Sequence, residues 1–299
     1  MYTEIEFIRQ YEKYSVLMKG NCGKGEPGLE IFLDFPVVMQ DISGAKTKLR
    51  YDRYESTKQG YQAGIEARDL YGNCYTITDV WTAEKGSYKL ERKVSCKEVK
   101  EQTGIRLTSE FRCRDLKAAS FDDYEFIIPG ALYNHNDTDG DGVDDYLGTF
   151  SQDYKDDRNP ALAVTAYGKK GNWSVSLIRG DLPQEDETIT REQIKARHFI
   201  HHTDIGSLGI APSQYRTQEF ILRCDYPFYE RNSFCLNVDG SEWSAYKEIG
   251  ENKEFSMTYL LCIGEAESLT EASWNTTLLQ MDRILDQETA LPFTLEEAQ

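Results

Sequence analysis

Residues 136–150 read NDTDGDGVDDYLGTF and hold five aspartates in the nine positions from Asp137 to Asp145. Carboxylates crowded this closely are unfavourable unless a cation neutralises them or water screens them. The chain as a whole already carries a net charge of -17. Asp137, Asp139 and Asp141 fall at positions 1, 3 and 5 of an EF-hand-like series, and Gly142 sits at position 6, where such a loop turns sharply. Val143 offers its carbonyl at position 7 and Asp145 falls at 9. Hard carboxylate and carbonyl oxygens at this spacing suit Ca2+, and suit neither zinc nor a redox metal. Position 12 is Gly148 where a bidentate glutamate is expected, so a further ligand must come from elsewhere, with Asp153, Asp156 and Asp157 as candidates. The competing reading is a solvated acidic hairpin tip built on Asp-Gly turn chemistry. On the calcium reading the ion is structural and pins a long loop.

The four histidines offer the next chemistry. His135 lies in the run Tyr133, Asn134, His135, Asn136, directly before the aspartates; rings for stacking and amides for bidentate bonding are what sugar recognition uses. His198, His201 and His202 form RHFIHHTD with Asp204. His198 and His202 are four apart, so on a helix both face one ligand, yet the third ligand and the glutamate of a zinc-binding H-E-x-x-H are absent. Hydrogen bonding by His201, His202 and Asp204 beside a sugar cleft is the better expectation. Trp243, in DGSEWSAY, reads as a loop residue able to act as an aromatic platform. Catalytic carboxylates stay unassigned: glycosidase chemistry needs two at a set separation, and 51 acidic residues offer too many pairs. No nucleophile elbow, phosphate loop or dinucleotide fingerprint occurs.

The elements that must position these groups announce themselves by alternation. Ile105, Leu107, Ser109, Phe111 and Cys113 share one face and Arg106, Thr108, Glu110 and Arg112 the other. The same period runs through Trp173–Val175–Leu177, Phe220–Leu222–Cys224–Tyr226 and Phe255–Met257–Tyr259–Leu261–Ile263, and through Tyr88–Leu90–Val94–Cys96 with Arg92 intruding. Strands with one wet face mark antiparallel sheets, and so many over this length predict two large packed sheets. Near the end, Ser268-x-x-Glu271 forms a capping box. Trp274, Leu278, Met281 and Leu285 then recur at helical spacing as a stripe that must bury itself against something. A shorter helix is predicted from Thr190 through TREQIKARHFIHH.

Composition bounds the function. The 299 residues are 39% hydrophobic and 28% charged; no apolar run is long enough to span a membrane, and the start lacks a signal-peptide pattern. A cytoplasmic protein is expected, or a secreted one whose signal has been removed. Acidity argues against nucleic acid and against anionic membrane surfaces. Seven cysteines, odd in number and without a C-x-x-C pair, argue against a disulfide framework or a zinc site. Cys96, Cys113 and Cys224 lie on the apolar phase and read as small buried hydrophobes.

DDYEFIIPGALYNHN with the acidic loop after it, ARHFIHHTDIGSLGI, YPFYERNSFCLNVDGSEWSAY, a strand and a long helix, in that order, resemble the amino-terminal β-super-sandwich of the bacterial six-hairpin glycosidase superfamily. There a galactose-mutarotase-like sandwich precedes an α/α toroid. The resemblance implies a sandwich domain over 1–266 and a linker helix with its tail over 267–299 leading to a toroid domain of the same parent chain. It implies that the toroid supplies the catalytic carboxylates, while the sandwich offers a loop to the rim of a carbohydrate cleft. The expected function is a non-catalytic, carbohydrate-associated domain of a glycoside hydrolase with a structural calcium loop. Two alternatives stay open: a complete epimerase or mutarotase-like enzyme, which needs histidines and a glutamate converging on one sheet, and a calcium-dependent glycan-binding protein.

Overall fold

The structure is a computed structural model that describes residues 3–21, 27–84, 86–101, 103–130, 151–181, 190, 192, 198–200, 203–213, 216, 218–232, 242–251 and 253–285. As the alternation predicts, the described residues form two large antiparallel sheets packed face to face. The larger has twelve strands. Its main path runs β1 (Thr3–Gln10), β2 (Lys13–Asn21), β3 (Pro27–Leu33), β10 (Gly104–Asp115), β17 (Glu219–Tyr226), β16 (Ser207–Pro212) and β12 (Gln152–Lys155). The strands β4 (Val37–Asp41), β5 (Lys46–Leu49), β15 (His198–Ile200), β18 (Tyr229–Glu230) and β19 (Trp243–Glu248) join beside β10. The second sheet has eight strands, ordered β11 (Tyr124–Ile127), β13 (Ala163–Gly168), β14 (Trp173–Arg179), β20 (Glu254–Glu265), β9 (Ser87–Glu98), β8 (Cys74–Glu84), β7 (Gly60–Arg68) and β6 (Arg53–Ser56).

The inward phase of each strand makes one continuous core, in which Leu107, Phe111, Leu222, Trp173, Val175, Leu261 and Ile263 are all buried. Cys96, Cys113 and Cys224 are buried free thiols, as expected of small hydrophobes. Arg92, the residue that interrupts its strand pattern, does point into the core. It lies directly across the β8–β9 ladder from Asp79. Its Nε and Nη2 donate to the two carboxylate oxygens at 2.8 and 2.7 Å, Nη1 to Ser109 at 2.8 Å, and Nη2 also to the Pro36 carbonyl. Tyr51 donates to the same carboxylate and receives the Trp81 indole N–H. A charge can stay buried when every donor and acceptor is matched in this way.

Helix α1 (Leu269–Leu285) crosses the outer face of the eight-stranded sheet, against β13 and β14. Ser268 accepts the Glu271 backbone N–H at 3.1 Å, and the Glu271 carboxylate reaches back to the N–H of Glu267, one residue beyond the cap. The face that packs differs from the predicted stripe. Ala272 and Thr276 are buried, whereas Trp274 is 60% and Leu278 41% exposed. A hydroxyl chain, Thr165–Ser176 at 2.9 Å and Ser176–Thr276 at 2.7 Å, joins sheet to helix. The helix predicted from Thr190 is corrected at its end: His198–Ile200 is a strand, paired in parallel with Ser244–Tyr246. Three residues carry no period of their own, and partner pairing decides their conformation.

Candidate functional site

The phase of the larger sheet that faces away from the core collects charge from strands far apart in sequence, and Arg106 and Thr108, expected on a wet face, are buried there with Asp153, Lys155 and Asp225. Cross-strand registers place Asp153, Gly209, Arg223 and Glu110 in one row, and Lys155, Ser207, Asp225 and Thr108 in the next. Arg106, two residues before Thr108 on β10, extends the same face beside Gln40. Gly209 makes room for the arrangement, because a Cβ there would lie 2.1 Å from Asp153 Oδ1.

Asp225 is the hub. It accepts the Thr108 hydroxyl, takes Arg223 Nε at 2.9 Å, and stands 3.8 Å from Arg106 Nε. Both guanidinium groups lie over the Tyr229 ring, Arg106 at 4.6 Å and Arg223 at 4.4 Å. The Tyr229 hydroxyl donates to Glu242. Asp153 is fully buried, 3.5 Å from Arg223 and close to Ser151, and among the described residues neither of its carboxylate oxygens has a hydrogen bond of good geometry. Burial, offset in part by Arg223 and reinforced by the charge of Asp225, pushes its carboxyl up to about 6. Arg106 likewise keeps Nε and Nη1 buried without a hydrogen-bond partner. Burial also raises Glu230, against the pull of Arg158 and Lys155.

Of the residues singled out from sequence, Asp204 and Trp243 lie beside this cluster. Asp204 accepts the Tyr226 hydroxyl at 2.7 Å and Lys247 Nζ at 3.1 Å. Burial alone would raise its carboxyl, but those two donors outweigh it and hold the group below its ordinary value. Trp243 opens β19 and is half-buried against the small cluster of Ile205, Phe228 and Ala245; it is a strand residue with a packing role, which corrects the loop reading. Tyr133, Asn134, His135, His201 and His202, and the loop residues Asp137, Asp139, Asp141, Val143 and Asp145, lie outside the described residues. Among the residues offered for the twelfth ligand, Asp156 is held by Arg179 at 2.8 Å and by the Gly206 N–H at 2.7 Å. Asp157 pairs with Lys155 at 3.0 Å. Among the described residues no group of three or more potential metal ligands occurs, and no helix is long and apolar enough to cross a membrane.

Sequence reading offered Asp153 only as a calcium ligand, whereas it lies fully buried beside Arg223, and it did not single out Arg223, Asp225 or Tyr229. The signal available was RCDY at 223–226, two charges spaced by two on the outward phase of a strand whose inward phase is apolar.

No protein-family model matches the chain, and no curated protein matches it in sequence. Solved structures do match in shape. A galactose mutarotase related enzyme from Lactobacillus acidophilus aligns over 88% of this chain and 98% of its own, at 10% identity with a TM-score of 0.52. An aldose epimerase homologue from C. elegans covers 89% and 100% at 8% identity, TM-score 0.47. A galactose mutarotase-like protein from Clostridium acetobutylicum covers 88% and 98% at 10% identity, TM-score 0.46. The fold is thus that of a galactose mutarotase-like β-sandwich.

Proposed function

We propose that the chain is a carbohydrate-associated sandwich domain, non-catalytic by itself, of a longer glycoside hydrolase or related carbohydrate-active protein, with a structural calcium ion at Asp137–Asp145. The observation that carries this reading is the outer face of the larger sheet. On a mutarotase-like sandwich it buries a tyrosine ring, paired guanidinium groups and carboxylates, and further along keeps Arg112, Arg114, Arg216 and Glu30 part-exposed, the polar set that fixes a hydroxylated ligand. The absence of chemistry is supported by how the carboxylates are used. Asp225, Asp204 and Asp156 each hold a cation, and Asp153 has no solvent access for proton exchange with a substrate. The outward Trp274 and Leu278 are the surface this reading gives to an α/α toroid.

Two measurements test it. Glycan-array binding of the purified chain, followed by NMR of α/β anomer exchange with each sugar it retains, should give binding without acceleration over buffer. Faster exchange would make the chain an epimerase-type enzyme, and an empty array would remove the carbohydrate reading. For the ion, about 1 mM calcium added after chelation is expected to raise Tm by several degrees, since a Kd near 10 µM corresponds to roughly 2.7 kcal/mol at that excess. An unchanged Tm, or an equal shift with magnesium, would remove the calcium site.

A further inference from the structure

Further along the same face, away from Asp153, lies a groove of about 390 Å³. Two cross-strand rows floor it: Leu17, Phe32 and Arg112, then Glu30, Arg114 and Glu219. Arg216 closes one side. The chemistry is mixed. Leu17 and Phe32 give an apolar patch, and the Arg112 guanidinium lies 4.9 Å from the Phe32 ring centroid. Three arginines, Arg112, Arg114 and Arg216, face two carboxylates, Glu30 and Glu219. A chain of charge -17 therefore holds a local excess of one positive charge here.

For Arg114 and Arg216 the pairing with these carboxylates is loose. Glu219 stands 3.7 Å from Arg112 Nε and 3.8 Å from Arg216 Nε, and Glu30 stands 3.9 Å from Arg114 Nη1. These three contacts are longer than hydrogen bonds, in contrast to the 2.9 Å between Arg223 and Asp225. Arg114 Nε is buried and has no hydrogen-bond partner among the described residues. Glu219 is meanwhile fixed by the Ser213 hydroxyl at 3.2 Å. The arginine side chains are about a quarter to a half exposed, at 27%, 32% and 52% for Arg112, Arg114 and Arg216, so a ligand can reach them.

We infer that this groove is a subsite for a sugar bearing one carboxylate, a uronic acid residue. The inference rests on the carbohydrate reading above and deepens it. Guanidinium groups grip carboxylates with directed, often bidentate bonds. The apolar patch matches the C–H face of a sugar ring, and the two glutamates are acceptors for its hydroxyls. Charge selects the anion: one surplus positive charge is balanced by a carboxylate, whereas a phosphate brings close to two negative charges into a groove that already holds two glutamates.

Titration calorimetry of the full chain with galacturonate, neutral galactose, acetate and inorganic phosphate tests this. Galacturonate should bind at least about tenfold more tightly than galactose, the scale of one charge-assisted hydrogen bond, and more weakly as salt rises. Arg216→Gln and Arg114→Gln should each weaken galacturonate about five- to tenfold and leave the neutral sugar unchanged; the half-exposed Arg216 can be replaced without threatening the fold. Equal affinity for the acidic and neutral sugars, or unchanged galacturonate binding in Arg216→Gln, would overturn the inference while the carbohydrate reading stands. Acetate or phosphate binding as tightly as galacturonate would overturn the sugar assignment and leave an anion site. Failure of both sugars to bind, beside an empty glycan array, would remove the two readings together.

Discussion

Two of the arginine–aspartate centres buried among the described residues, one between the sheets and one on the outer face, are built differently. Between the sheets, Arg92 and Asp79 use the guanidinium, both carboxylate oxygens, a serine, a carbonyl, a tyrosine and a tryptophan, and leave none of these polar atoms idle. On the outer face, Arg223 and Asp225 are joined at 2.9 Å, while their neighbours Asp153 and Arg106 keep four buried atoms without hydrogen bonds of good geometry among the described residues. The first centre is complete in the folded chain. The second is unfinished, and unfinished polarity on an outer face is where a protein is open to something besides its own fold.

The comparison can be broken by mutation. Arg92→Gln leaves the Asp79 carboxylate buried without its counter-ion and should cost about 3–5 kcal/mol in urea unfolding; a cost below about 1 kcal/mol would show that the inner centre does not differ from the outer one. Asp153→Asn should act in the opposite direction. The Asp153 carboxyl titrates near 6 when folded against an ordinary value of 3.8, so the folded chain binds the extra proton between these limits and loses stability as pH rises through them. The asparagine variant escapes that loss. Its advantage should be absent near pH 3.5, grow between about pH 4 and 6, and level off near 3 kcal/mol. A stability difference that is flat with pH would place Asp153 in a solvated or hydrogen-bonded setting. Arg106→Gln should cost about 1 kcal/mol, because Asp225 retains Arg223 and Thr108; a loss equal to that of Arg92→Gln would make the outer centre structural. Smallest of all, Trp274→Ser on the exposed side of α1 should change the isolated chain by under about 0.5 kcal/mol.

Much of the sandwich was written in the alternation, because a period of two with one apolar phase has few other solutions. The inner centre was half legible. Arg92 stood out on the phase of Leu90 and Val94, but its partner Asp79, on the phase of Tyr75, Ile77 and Trp81, was not read from the sequence and is given by the β8–β9 register. The outer site was not legible for the converse reason: Arg106, Asp153, Arg223 and Asp225 all occupy outward phases, where charge is ordinary, and only the registers of β10, β12, β16 and β17 bring them together. Asp204 was found because it follows a histidine run. The α1 stripe misled because apolar spacing marks a helix face without saying which surface covers it, and the sheet prefers the small Ala272 and the hydroxyl of Thr276.

Strand β10 pairs with β3 and β4, from the first 41 residues, and with β17 and β19, from residues 219–248. During synthesis its first edge can be satisfied soon after Asp115 is made, but the β17 edge must wait for Glu219 and the residues beyond. At about 5–20 residues per second this interval is on the order of ten seconds. For that time the middle of the larger sheet is a row of open backbone donors and acceptors, the kind of edge that recruits foreign strands. The chain's need for protection on the ribosome is thus set by the position of one strand in its topology.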